Sequence, residues 1–134
     1  MAYGSKRKSF SFWKREDGGV TIEAVLWVPM FVIILAMIAD VSLVFFRQST
    51  ILRTVQDANR AYSIGRITSE EATAKYVTDS LATLSSTATA TTTQSLGIVQ
   101  TTASVPVSDL TAVGVFNFLS GYNIGVSARH YIEY

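Results

Sequence analysis

The side chains that could do chemistry in this 134-residue sequence are few: one histidine, ten acids and no cysteine. His130 lies in an alternating run, on the face shared by Tyr122, Ile124, Val126, Ala128 and Ile132. That placement predicts a buried core or interface histidine rather than a base or ligand. Glu70 and Glu71 stand together at a helix start, and a metal site would need more converging ligands. No nucleophile elbow, zinc-protease motif, P-loop or dinucleotide fingerprint occurs. Without cysteine, disulfides and thiolate metal sites are excluded. The sequence therefore predicts no enzyme, no metal and no cofactor. The two acids with an unusual setting are Glu23 and Asp40, because both belong to an apolar run where a carboxylate needs a partner.

That run is the source of the positive mean hydropathy of +0.30. Residues 24–39 carry no charge, and the apolar character continues past Asp40 to Phe46. Residues 24–46 would form a helix of roughly 34 Å at about 1.5 Å per residue. A bilayer core of roughly 30 Å is crossed by about 20 such residues. The rest of the chain is too small to surround a helix that is apolar on every side. A single transmembrane helix over residues 19–46 is the expectation.

Charge is uneven about this segment. Residues 1–17 carry five basic side chains against two acids, a balance of +3, whereas six basic and eight acidic side chains follow, a balance of −2. The tight cluster Lys6, Arg7, Lys8, Lys14 and Arg15 favours a cytoplasmic N-terminus, with the larger C-terminal part periplasmic or outside. Phe10, Phe12 and Trp13 beside those cations read as an interfacial anchor on anionic lipid, not as a nucleic-acid site.

Within the span, Pro29 removes a helix donor and would kink a helix, which membrane helices tolerate when neighbours satisfy the freed carbonyl. Asp40 lies deep enough for a membrane helix to bear part of the about 2.5 to 3.5 kcal/mol that a central aspartate costs. Two readings of it stand equally: it snorkels or faces Arg47, seven residues on, or it meets a polar partner on another subunit. Glu23 follows Gly18, Gly19, Val20, Thr21 and Ile22. A basic stretch, a glycine, four residues, a glutamate and an apolar helix resemble the layout of type IV prepilin leaders. The resemblance implies cleavage by a prepilin peptidase between Gly18 and Gly19. A buried carboxylate in packed helices needs a cation, which the new α-amino group of an adjacent subunit can supply to Glu23.

Residues 18–31, GGVTIEAVLWVPMF, resemble the TadE/TadG-like family of tight-adherence (Flp) pilus assembly proteins, which are pseudopilins. The likeness lies in the glycine, the glutamate five residues later, the proline six residues after that, and the apolar run that follows. Ala24 stands where the family pattern often has an aromatic residue. The closing stretch, from VPVSDL to SARHYIEY, is loosely similar as well. The resemblance implies an inner-membrane-anchored pilus-biogenesis component without catalytic activity. Its partners would be other pilins, the assembly machinery, prepilin peptidase and membrane lipid, with no nucleic acid.

Beyond the membrane the helix is expected to continue. Val41, Val44, Gln48, Ile51, Val55, Ala58 and Tyr62 form a stripe at spacings of three and four, better explained by a head core than by a coiled coil. Arg53, Asp57 and Arg60 are spaced for helical ion pairs, and Gly65 is a natural stop. Thr68 and Glu71 are spaced as the capping box of a second helix, with Ala74, Val77, Leu81 and Leu84 on its apolar face. The Ala/Thr alternation of residues 87–91 fits an edge strand and an exposed loop equally. Val99, Thr101, Ala103, Val105 and Val107 alternate as a strand, which Pro106 suggests is an edge strand. Asp109 is expected to cap a short helix with Leu110, Val113, Phe116 and Leu119 on one side, ending at Gly121. A last strand carries His130.

The expected architecture is α+β: a basic leader (1–18), a transmembrane helix (19–46), its extension (47–64) and a small head (65–134) with a short antiparallel sheet. The functional expectation is a membrane-anchored minor pilin or pseudopilin. Two rivals remain: a secreted domain released by signal peptidase, and a signal-anchored periplasmic interaction module unrelated to pili. Against release, the apolar run exceeds the 7 to 15 residues of a signal core.

Overall fold

Helix α1 spans Asp17–Ser63 without interruption and has Pro29 inside it. The computed structural model describes residues 17–115 and 117–133; the basic leader, its lipid-anchor cluster and Phe116 lie outside the described residues. By contacts the chain divides into two units, Met1–Ile33 and Ile34–Tyr134. In the first, the apolar side chains of α1 are exposed on all sides, which suits lipid rather than water. Among the described residues, this is the one helix long and apolar enough to cross a membrane. It is compatible with a single-pass anchor.

In the second unit, α1 becomes amphipathic. Ile51, Val55, Ala58 and Tyr62 are buried, so the stripe belongs to the head core from Ile51 onward, while Val41 is exposed and Val44 and Gln48 are half-buried. Helix α1 ends at Gly65 (φ +73°), where Arg66 donates its N–H to the Ala61 carbonyl and Gly65 to that of Tyr62. These two bonds are the Schellman arrangement and satisfy the last helical carbonyls.

Helix α2 covers Glu70–Leu81. Its N-cap is Ser69, whose Oγ accepts the Ala72 N–H at 3.1 Å. The expected box of Thr68 and Glu71 is thus displaced by one residue, and Glu70 instead accepts the Gln94 N–H. Thr73, Val77 and Leu81 are its buried residues. Thr73 replaces the expected Ala74, because its hydroxyl is satisfied by the Ser69 carbonyl at 2.9 Å.

Three antiparallel strands follow, β1 (Thr89–Ser95), β2 (Ile98–Pro106) and β3 (Asn123–Tyr131), in the order β1-β2-β3. The threonine-rich segment is therefore an edge strand. Strand β2 is central, contrary to the reading of Pro106, which tolerates this position because it is the last residue of the ladder and pairs only with Asn123. Val99, Thr101, Ala103 and Val105 on its inner face are fully buried against the helices. Ala103 and Val105 join Ile51, Val55, Val77, Leu81, Leu110 and Val126 in one core. Each large aliphatic buried there contributes about 1.5 to 3 kcal/mol.

A polar layer crosses this core. Asn59 Nδ2 donates to the Ala128 carbonyl at 2.8 Å, and Thr101 Oγ1 donates to Asn59 Oδ1 at 2.5 Å. Because Thr101 has one hydroxyl proton, the 2.9 Å bond to Thr92 has Thr92 as donor. Helix α1, β1, β2 and β3 are thereby joined in register through buried groups.

The expected helix after Asp109 does not form. Val107–Leu110 and Asn117–Leu119 are short 3₁₀ turns, and Gly114 between them has φ +78°, a left-handed conformation that ends a right-handed helix. Leu110 alone is buried from its expected apolar side among the described residues.

Candidate functional site

The sequence singles out Gly18, Gly19, Glu23, Pro29 and Asp40, all on α1. In the first unit the helix begins at Asp17, so the peptide bond between Gly18 and Gly19 lies in its opening turn. Glu23 and Pro29 are exposed, and Glu23 makes no ion pair among the described residues. Its neighbours one and two turns on are apolar, with the Trp27 and Phe31 rings tilted 38° at 6.2 Å.

Asp40, in the second unit, is in a different state. It is 0% exposed. Its Oδ1 accepts the backbone N–H groups of Ala112 at 3.0 Å and Val113 at 2.8 Å, and its Oδ2 accepts that of Val115 at 2.9 Å. Successive amides curled about a left-handed glycine form a concave anion cradle, here closed on a carboxylate of the same chain. Neither sequence reading named this partner. The signal was Gly114, which interrupts an apolar period with a residue suited to positive φ.

Arg47 does not serve Asp40. Its guanidinium donates to the Asp109 carbonyl. The Asp109 carboxylate accepts hydroxyl bonds from Ser85, from Thr87 at 3.2 Å and from Ser108 at 3.3 Å. The Ser85 bond above all, opposed by desolvation and aided by Thr87, Ser108 and the Arg47 charge, holds Asp109 below the usual carboxylate range. Seven residues separate Asp40 from Arg47, roughly 10 Å along a helix, so each takes a different part of the 107–115 segment. That segment is tied to α1 at both points.

Among the described residues, no group of three or more His, Asp or Glu side chains converges as a metal site. His130 is on the inward face but half-buried, its Nε2 3.9 Å from Glu133. Among the described residues the other ion pair is Lys75 with Asp79 at 2.8 Å; the expected pairs of Arg53, Asp57 and Arg60 are not formed. The arrangement has the means to bind and pack.

The N-terminal pattern singled out by the sequence lies on one unbroken helix. Residues 18–60 match the family model described as TadE-like protein. This TadE-like segment opens on Gly18, contains Glu23, Pro29, Asp40 and Arg47, and stops one turn short of the end of α1. It covers less than half of the chain and leaves the sheet outside it. No curated protein and no solved structure matches the chain.

Proposed function

We propose that the chain is a membrane-anchored minor pilin or pseudopilin that takes part in assembly of a tight-adherence (Flp-type) pilus. The observation that carries this reading is the TadE-like match beginning at Gly18 on a helix whose residues 19–33 are exposed and apolar around the acid Glu23. The N-terminus would be cytoplasmic and the head periplasmic, in the inner membrane before assembly. Prepilin peptidase would cut between Gly18 and Gly19 and remove the +3 leader. In a packed bundle of such helices, Glu23 would meet the α-amino group of a neighbouring subunit. A carboxylate in that apolar setting is tolerable only when paired, so the pair would select one axial register. The role is structural and needs no catalysis. Its partners would be other pseudopilins, the assembly machinery, the peptidase and lipid.

Intact-mass measurement in wild-type and peptidase-deleted cells tests the processing: the expected product begins at Gly19, and a full-length chain in both strains rejects it. Glu23→Gln should insert normally yet reduce piliation; unchanged piliation would remove Glu23 from the scheme. The TadE-like match ends before the sheet, which leaves room for a periplasmic interaction module unrelated to pili. A secretion ATPase, prepilin peptidase and secretin encoded nearby would favour the pilus, and their absence the module.

A further inference from the structure

The segment that closes over Asp40 is itself apolar and uncharged. No charged residue occurs from Leu110 to Ala128. Val113 is 61% exposed, Phe118 75% and Tyr122 67%. The depth of this segment follows from Asp40. Three amide bonds hold residues 112–115 at the level of Asp40 on α1. Yet the exposed apolar surface of α1 continues farther toward the head, through Phe45 at 64% and Phe46 at 69%. Phe46 is six residues beyond Asp40, roughly 9 Å along the axis. The loop thus reaches back below the outer limit of the apolar band on its own helix.

The polar ends of the head lie elsewhere. The hairpin tip at Gly97 bonds to Ile132, and Glu133 bonds to Ser63 at the far end of α1. Residue 63 is 23 residues past Asp40, roughly 34 Å along the helix. Charged Glu70, Glu71 and Arg66 belong to that far end. That far end carries charge, whereas residues 110–128 carry none.

We propose that residues 111–115 and 118–122 form a membrane-embedded foot, with Val113 and Phe118 entering the acyl region of the leaflet that α1 leaves and Tyr122 at its polar edge. This rests on the membrane-anchored reading of α1. Irregular backbone is tolerated at membrane depth only where protein groups satisfy it, and the Asp40 carboxylate satisfies three of the loop's N–H groups. The same bonds spare the aspartate from facing lipid, which explains how an acid persists inside the apolar run. The head is then seated on the bilayer at two points instead of swinging from one helix.

The absence of native cysteine permits a direct test. Full-length single-cysteine variants Val32→Cys, Val113→Cys, Phe118→Cys and Leu96→Cys are labelled with an environment-sensitive fluorophore. Each is reconstituted in phosphatidylcholine and phosphatidylglycerol vesicles, with and without spin-labelled lipid. Labels at 32, 113 and 118 should shift to the blue and lose fluorescence to the spin label, while the label at 96 should do neither. An unquenched label at 32 would overturn the membrane anchor and the foot together. Quenching at 32 without quenching at 113 and 118 would overturn the foot alone. A blue shift at 113 and 118 that spin-labelled lipid leaves unquenched would mean cover by a second copy, and would overturn it too.

Discussion

Val113 donates its backbone N–H to Asp40 Oδ1 at 2.8 Å across 73 residues of sequence. This bond and its two neighbours turn a residue that looks like an intermembrane liability into the anchor of a loop. Buried donors that lose their acceptor carry the full cost of desolvation. Asp40→Ala should therefore release residues 111–115, seen as faster amide exchange and protease cleavage there, while the β-sheet stays protected. Unchanged exchange at Ala112 and Val113 would show that the carboxylate does not hold them.

The acid response of the head should carry the signature of Asp109. Its folded-state pKa is depressed, chiefly by the Ser85 hydroxyl. The stabilisation is then fully present above the ordinary carboxyl value of about 3.9, and is lost as pH falls through the lower folded value. Thermal unfolding in detergent micelles should be less stable below about pH 4, and Asp109→Asn should flatten that limb. An unaltered acid limb in the variant would refute the assignment.

Leu96 is a conformational misfit that can be corrected. It occupies the hairpin between β1 and β2 with φ +51°, beside Gly97 at φ +75°, and its side chain is 99% exposed. Two positive φ values form the turn in which Asn-Gly is preferred, and a non-glycine residue there costs about 1 to 2 kcal/mol. Leu96→Asn should raise head stability by about 1 kcal/mol, read as a higher unfolding midpoint. A lower midpoint would mean that the leucine makes a stabilising contact.

One helix should answer similar truncations in opposite ways. Ile51 is fully buried in the head core, whereas Leu35 is exposed. Ile51→Ala should cost the head about 2 to 5 kcal/mol and leave vesicle binding intact. Leu35→Ala should leave head unfolding unchanged, because the side chain touches none of that core. Equal effects on head unfolding would contradict the division of α1.

The buried amide of Asn59 offers a further check on register. Removing it by Asn59→Ala strands the Ala128 carbonyl and the Thr101 hydroxyl, at a cost of about 1 to 3 kcal/mol. Loss of protection should appear first at β3, the edge strand it holds. If unfolding free energy is unchanged, the polar layer does not set the pairing.

Much of the molecule is determined by short-range pattern. The apolar run without glycine, the stripe from Ile51 to Tyr62, Gly65 at the helix end, and the alternation of β2 and β3 are all periodic, and periodicity is local. Glu23 and its spacing from Gly18 are visible for the same reason. The order of the strands is not local: Pro106 looks like an edge signal until β3 pairs on the far side of β2. Nor is the fate of Asp40. Its three donors are backbone amides, which every residue possesses and no side-chain pattern advertises. They converge on it only because Gly114 turns the loop and the sheet carries that loop back along α1. The sequence by itself determined a helix with two acids in an apolar field. Tertiary folding alone decided that Asp40 is satisfied by backbone amides 72 to 75 residues away, because only the folded loop brings them to it.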